Sequence, residues 1–386
     1  MATVTIPLNA APNQTVSFVM DNKRWLVTLN SRLGNLYASI ENDRDGVIIN
    51  NRICLNKTPL SKNLVFIDTD GSQDPFYTGL NSRFFLVYTM KRKVIKVTVT
   101  LTGKDDKGQQ IVFADAYNQI SATGFRIACN IMFGYGAVMP TAQIRVYGLE
   151  LDKMIKLLRV RWNTLGALMN RVKIEVGNEG EKLLQEFEGN ITFAYPDFSN
   201  SPDVCLVIES QAAALENQKP ANPYEHKGEI DIADIYQAIC EEMGYQLENN
   251  GVSIKTKDIT LNGSNLHKLQ TLEQTFPIDM YIENNLIAIT PKGGSRNIKI
   301  PVITPATGLI GYPTPDIRGV TFKCFYDPLL RFGGVCKIQG SAVEVCNGEW
   351  RIYGMYKCLE ANQPDGNWFC EIAATWRDSK DAAIVR

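Results

Sequence analysis

Histidine is scarce in this sequence, long apolar runs are absent, and the net charge is almost zero. Only His226 and His267 occur in 386 residues, so the commonest general base and metal ligand has two chances to act. His226 falls in the proline-rich stretch from Pro220 to Lys227 and reads as part of a linker. His267 falls in the polar gap between Leu266 and Leu269 of a short predicted helix. Neither follows a strand that ends in a serine or cysteine elbow, and G-x-S-x-G is missing. There is no P-loop, and no G-x-G-x-x-G opens a helix; Gly134-Tyr135-Gly136 reads as a loop. The nine cysteines include no close pair, which excludes zinc ribbons and thioredoxin-like sites and makes a fully paired secreted framework improbable. They read as reduced thiols, buried as small hydrophobes. Lys and Arg number 40 against 41 Asp and Glu, so the whole chain exerts no pull on nucleic acid or anionic lipid. No segment approaches the ~20 apolar residues that span a bilayer. Met1 to Pro7 lacks a basic region and an apolar core, so no secretory signal is expected. The expectation is a protein made in a cytoplasm, soluble until it meets its partners, with no membrane anchoring.

The composition that remains is that of a globular protein: 45% hydrophobic and 21% charged, in a chain longer than one domain of about 100–150 residues. The first 90 residues read as short strands, Val16 to Val19, Trp25 to Leu29, Leu36 to Ile40, Gly46 to Asn50 and Phe84 to Tyr88. Asp43-Arg44-Asp45-Gly46 resembles a hairpin tip. Asp68 to Asp74 resembles part of a calcium loop, but Gly79 stands where the closing glutamate belongs, and a solvated turn is the better reading. A junction falls at Met90-Lys91-Arg92-Lys93. Its methionine followed by a basic cluster resembles a protein start, as though two reading frames were fused there. The cluster itself reads as a solvated strand end.

Strands continue at Val94 to Leu101, Gln110 to Phe113 beyond the turn Asp105 to Gly108, Arg126 to Phe133 and Ala142 to Gly148. In the last of these, Ile144 and Val146 face one way and Gln143 and Arg145 the other. Leu151, Met154, Ile155 and Leu158 form one stripe of a short helix. Strands return at Val172 to Val176, Leu183 to Tyr195 and Val204 to Ser210. Residues 228–292 differ. Asp231 caps a helix that ends at Gly244, a hairpin follows over 245–254, Ser264 or Asn265 caps a second helix, and a second hairpin turns at Asn284-Asn285. This predicts an α+β helix–hairpin unit used twice, bracketed by linkers. From Ile298 onward the pattern is β again, with Asp327-Pro328, Asn347-Gly348 and Pro364-Asp365-Gly366 as turns. Cys324, Cys336, Cys346, Cys358 and Cys370 recur about once per strand and turn, as a set of small core residues would.

Two chemistries stay open on the residues alone. Glu186, Glu188 and Glu209 lie on predicted strands, with Glu186 and Glu188 sharing what alternation makes the wet face; paired carboxylates could cleave a glycan. Trp350, Trp368 and Trp376 could bind a saccharide. No catalytic, cofactor-binding or metal-binding residue is assigned, and the residues by themselves indicate a structural or binding protein.

The opening Ile6-Pro7-Leu8-Asn9-Ala10-Ala11-Pro12-Asn13-Gln14-Thr15, with Trp25 in a strand and a strand ending at Tyr88, resembles the small baseplate plug proteins of contractile-tailed phages. From about Lys91 to Arg386 the chain resembles a baseplate central hub protein. That resemblance rests on Ala142 to Leu149, Gly308-Leu309-Ile310-Gly311-Tyr312-Pro313, Leu330-Arg331-Phe332-Gly333-Gly334, Gly348 to Gly354 and Gly366-Asn367-Trp368-Phe369. It implies a mainly β chain with a small α+β insert: a plug-like domain over 1–90, tail-tube-like β-barrel domains over 91–212 and 298–386, and the insert over 228–292. It implies a homotrimer whose six barrels match a sixfold tail tube while its threefold side receives a trimeric spike. Baseplate wedge proteins would be further partners, and DNA would pass the lumen without specific binding. The implied place is the virion tail baseplate, assembled in the bacterial cytoplasm, with no enzymatic activity and no cofactor. A tail-associated peptidoglycan hydrolase and a saccharide-binding β-protein are the competing readings.

Overall fold

The computed structural model describes residues 3–21, 23–101, 119–134, 138–158, 169–363 and 366–377. The turn at 105–108, the strand at 110–113, Tyr135-Gly136 and the turn residues Pro364-Asp365 lie outside the described residues, as does the side chain of Leu158. The chain divides into two compact units, Met1–Arg92 with Pro305–Gly308, and Lys93–Thr304 with Leu309–Arg386.

The first unit holds seven described strands: β1 (Thr3–Ile6), β2 (Asn13–Met20), β3 (Lys23–Arg32), β4 (Asn35–Asn42), β5 (Gly46–Ile53), β6 (Leu64–Asp68) and β7 (Phe84–Thr89). β2 to β5 form an antiparallel meander, and β1, β7 and β6 form a second sheet. Strict alternation makes the meander, since Trp25, Val27 and Leu29 of β3 and Leu36, Ala38 and Ile40 of β4 all point into the core. Two tight turns fix its register. Leu33 and Gly34 between β3 and β4 both take positive φ, which matches the twist of a hairpin. At the expected tip after β4, the Asn42 side chain accepts from the backbone of Arg44 (2.9 Å) and Asp45 (2.7 Å). Trp25 meets Tyr88 of β7 edge-on at 5.5 Å, which joins the two sheets of this unit.

The second unit contains β8 (Lys93–Thr100), β9 (Gln119–Ala122), β10 (Ile127–Phe133), β11 (Thr141–Tyr147), α1 (Leu151–Leu158), β12 (Arg171–Asn178), β13 (Leu184–Asp197), β14 (Cys205–Gln211) and α2 (Ala214–Gln218). Then come β15 (Tyr224–Asp231), α3 (Ile232–Met243), β16 (Gln246–Asn249), β17 (Lys255–Leu261), α4 (Asn265–Thr275), β18 (Ile278–Glu283) and β19 (Leu286–Pro291). It closes with β20 (Val302–Ile303), β21 (Leu309–Asp316), β22 (Gly319–Phe325), β23 (Val335–Ile338), β24 (Gly348–Ala361) and β25 (Trp368–Trp376). The mainly β class with a small α+β insert is as expected. The closed barrels are not: among the described residues no sheet closes into a barrel. Strands from both all-β stretches instead join one thirteen-stranded sheet, ordered β21-β22-β25-β24-β10-β11-β14-β13-β12-β8-β9, with β20 and β23 to one side. The link is β10, which pairs with β11 on one edge and with β24 on the other. β24 can serve several neighbours because it is fourteen residues long and carries a bulge at Ile352–Gly354.

The α+β insert matches the reading at its caps and departs from it at one hairpin. Asp231 accepts from Ala233 N at 2.9 Å and Gly244 takes φ 74° at the end of α3. Ser264 caps α4. β18 and β19 form the expected hairpin about Asn284-Asn285. The hairpin expected over 245–254 does not form. Asn249 bonds Val252 through both its amide and its carbonyl, which turns the chain away, and β16 pairs in parallel with β19 instead. The following segment, β17, pairs with β15. His226 therefore stands in a strand and not in a linker. In α1 only part of the predicted stripe is covered: Met154 is buried, while Leu151 and Ile155 remain exposed.

Candidate functional site

The second unit is organised around a buried ion network that begins at a β-bulge. Between β12 and β13, Ile174 pairs with Phe187 but Glu175 pairs with Gln185, so Glu186 is an extra residue in the ladder. A bulge resets alternation, and here it turns Glu186 and Phe187 inward together. Glu186, expected on the wet face beside Glu188, is 0% exposed. Its Oε1 accepts from the Tyr326 hydroxyl at 2.7 Å. Its Oε2 accepts from Lys357 Nζ, and Arg331 Nη1 lies 3.7 Å from Oε1. Lys357 is equally buried, because on β24 it falls in phase with the core residues Met355, Leu359 and Ala361. A lysine in that phase is the signal that sequence reading could have used.

From Arg331 the network passes to the insert. Arg331 Nη1 donates to Glu283 Oε1 (3.1 Å), and Arg296 Nη1 donates to Glu283 Oε2 (2.6 Å) and to the Phe332 carbonyl (3.0 Å). Arg296 also grips Glu248 with two bonds of 2.9 and 2.8 Å, the bidentate geometry that suits a guanidinium. Burial opposes ionisation of Glu283, but Arg296, Arg331 and Lys357 outweigh it and hold the carboxyl below its usual range. The bond from Arg296 is the main cause that lowers Glu248. Burial, then Glu186, pushes the Tyr326 hydroxyl well up, so it stays a donor. A second set lies alongside: Arg351 Nη1 meets Asp279 (3.0 Å), the Gly294 carbonyl (2.9 Å) and the Tyr281 hydroxyl (3.2 Å), while Lys292 meets Asp279 at 2.9 Å. Phe332 fits between Tyr281 (5.2 Å) and Phe133 (5.8 Å). Next to it, Gly333 has φ 77°, and a Cβ there would strike the Tyr281 ring at 2.8 Å. The run Leu330 to Gly334 thus supplies a cation, a core aromatic and a glycine to one junction.

Chemically, this arrangement joins one part of the chain to another. Both Glu186 oxygens are engaged, and Glu188 is paired with Arg171 at 3.2 Å and with Gln185 at 3.0 Å; Glu209 stands partly exposed on β14. The three tryptophans present no common face. Trp350 is buried and donates to the Cys346 carbonyl at 2.8 Å. Trp376 meets it edge-on at 5.2 Å, and Trp368 meets Tyr326 at 5.7 Å. His267 is exposed on α4, where its backbone N–H donates to Ser264 Oγ. Cys324 faces Cys370 across β22 and β25; burial pushes the thiols of Cys54, Cys240, Cys336 and Cys370 up to about 12, far from nucleophilic. In the first unit Asp68 takes both bonds of the Arg83 guanidinium at 2.8 Å and accepts from Asp70 N and Gln73 N, so an arginine sits where a cation would bind. Among the described residues no group of three His, Cys, Asp or Glu could hold a metal ion, and no helix is long and apolar enough to cross a membrane.

The stretch that carries the network, residues 94–361, matches the family model described as baseplate hub gp41. The chain belongs to the baseplate hub gp41 family. Residues 3–91 match a second family, described as cyanophage baseplate Pam3 plug gp18. Hub and plug therefore occur in one chain, and this is a structural protein of the phage tail baseplate. Among solved structures, the hub chain is similar to the tail protein from Neisseria meningitidis MC58, with 8% identity, TM-score 0.47, and 73% of this chain and 96% of that one covered. It is similar to the 43 kDa tail protein of prophage MuSo2 from Shewanella oneidensis, with 9% identity, TM-score 0.47, and coverage of 73% and 98%. A Francisella PdpA–VgrG complex, half-lidded, matches at 9% identity and TM-score 0.39, over 74% of this chain and 58% of that one. No curated protein matches.

Proposed function

We propose that the chain is the central hub of the baseplate, a homotrimer that joins the sixfold tail tube above to a trimeric spike below. The family match over residues 94–361 carries this reading. The geometry supports it: strands from two all-β stretches share one sheet, and a network of paired charges joins that sheet to the insert. Such a body transmits load without changing its internal packing. In this reading residues 1–90 act as a plug, 91–212 and 298–386 supply the two tube-like elements per protomer, and 228–292 form the insert. Tail tube, spike and wedge proteins are its partners, DNA passes without specific binding, and assembly takes place in the host cytoplasm. We assign no catalytic step: of the candidate carboxylates, Glu186 is held by Lys357 and Tyr326 and Glu188 by Arg171 and Gln185.

The test is the mass in solution by light scattering, alone and with the spike of the same particle. A threefold mass in either condition supports the hub. A monomer in both sinks it, and peptidoglycan hydrolysis then becomes the assay to run.

A further inference from the structure

Two of the nine cysteines face each other directly. In the ladder between β22 and β25, Cys324 is the partner of Cys370. Among the described residues no other cysteine has a cysteine as its ladder partner. Both lie in phase with the core residues of their strands, Val320 and Phe322 on β22 and Ile372 and Ala374 on β25, and they are 1% and 0% exposed. Their side chains therefore leave the sheet on the same side. Opposed residues of an antiparallel pair have Cα atoms about 4.5 or 5.5 Å apart. Both spacings fall within the range of roughly 4.4–6.8 Å that a disulfide bridges. Both thiols are free. Burial above all, then Cys370 and then Cys336, raises the Cys324 thiol, the order expected when Cys370 is the nearer sulfur. Cys336 itself stands opposite Trp350. Among the described residues no group of three His, Cys, Asp or Glu could hold a metal ion, so thiol–disulfide chemistry is what this pair offers.

While the ladder is closed the pair is inert, because burial keeps both protons in place. Access comes from the edge. β21 ends the strand order on this side of the sheet and β22 is next to it. The ladder between them shifts register between Ile310 and Thr314, and most of β21 is exposed. An exposed, irregularly paired outer strand belongs to the part of a fold that opens locally at low cost. Opening β22 away from β25 returns both thiols to water, and reclosing sets them opposite each other again.

We propose that Cys324 and Cys370 form an oxidation site, which a small hydroperoxide converts into a disulfide that staples β22 to β25. In the open state one thiolate attacks the peroxide: an S–O bond forms, the O–O bond breaks, and the departing oxygen takes a proton and leaves as water. The product is a sulfenic acid. On closure the second thiol attacks that sulfur: an S–S bond forms, the S–O bond breaks, and hydroxide leaves as water with the thiol's proton. In sum, two thiols and one hydrogen peroxide give one disulfide and two waters. A reducing cytoplasm keeps the pair apart, and an oxidising medium closes it. The inference is independent of the trimeric reading.

The test treats the folded full chain with hydrogen peroxide, blocks the remaining thiols and maps the peptides without reductant. The expected product is one crosslink, Cys324 to Cys370, that reductant reverses and that is absent from Cys324→Ala and Cys370→Ala. Cys358, which is only partly buried and has Asn130 and Phe369 as ladder partners, serves as the reference thiol. If Cys324 and Cys370 are still free when Cys358 has reacted completely, or if either joins Cys336 instead, the site is overturned. The edge opening is tested at Gly319, the first residue of β22, where a Cβ would strike the Ala374 carbonyl oxygen on β25. Gly319→Ala should speed the crosslink by about 5-fold or more, the effect of about 1 kcal/mol on an opening equilibrium. Low denaturant should speed it in the unaltered chain. A rate that neither change raises overturns the opening step.

Discussion

Asp68 and Glu186 are both buried carboxylates held by cations, yet they belong to different kinds of region. The partner of Asp68 is Arg83, fifteen residues on, and the pair closes a turn in a small sheet. The partner of Glu186 is Lys357, 171 residues on, and the pair joins two distant stretches of one large sheet. The first unit is built largely from local hairpins whose instructions sit beside one another, with the pairing of β1 to β7 as its long-range closure. The second is built from long-range pairings that only the finished fold brings together. Such contacts demand that large loops close before any gain appears, and misplacing one charge leaves another stranded in the core.

The largest expected effect breaks the long-range side of that comparison. Lys357→Ala leaves buried Glu186 without its nearest cation, with only Arg331 at 3.7 Å, and should cost about 3–5 kcal/mol, the scale for one half of a broken buried pair. Glu186→Leu with Lys357→Met removes both charges and should restore most of the loss. Denaturant unfolding of the three variants checks this; a double variant no better than the single one would mean that shape, not charge, dominates there.

Gly333→Ala comes next. It combines a positive φ, which costs an alanine roughly 1–2 kcal/mol, with a clash on Tyr281 of the overpacking kind, about 1–3 kcal/mol. A total of about 2–5 kcal/mol should appear in thermal or denaturant unfolding.

Acid sharpens the comparison further. The native carboxyls of Glu283 and Glu248 sit below their ordinary range, so the unfolded chain takes up their protons first. The stability they contribute is complete above an unfolded value of about 4.3 and is lost as pH falls through the lowered native values. Stability measured against pH should therefore drop below about pH 4, and Glu283→Gln, less stable at neutral pH, should drop less.

Local and long-range features also differ in how well they can be read from sequence. The tip at Asp43 to Gly46, the Asp231 cap, the Gly244 stop and the hairpin about Asn284 were all legible, because each is decided by a few adjacent residues. Three features were not. The bulge that buries Glu186 is a mismatch between two strands and leaves no mark on β13 alone. The parallel pairing of β16 with β19 depends on a strand some forty residues away, so a local hairpin looked equally good over 245–254. The joining of β10 to β24 links residues more than two hundred positions apart, which is why two separate barrels were the natural expectation. Of the network itself, Arg331, Phe332 and Gly333 stood within a family-like run, but their job of meeting Glu186, Glu283 and Tyr281 appears only in three dimensions.

The smallest effect lies on the local side. In Asp68→Asn the Arg83 guanidinium loses its charged partner, and the backbone N–H groups of Asp70 and Gln73 keep at most a weaker acceptor. The core of that unit, from Trp25 to Tyr88, does not run through the turn. Hydrogen exchange should speed up across residues 68–74 and at Arg83 while the amides of β3 and β4 stay protected, which is the signature of a local opening. The corresponding experiment on Lys357→Ala should loosen β10, β13, β24 and the insert together. If Asp68→Asn instead loosens all of β1 to β7, the turn is part of that unit's cooperative core, and the distinction between a local clasp and a long-range weld fails at its simpler end.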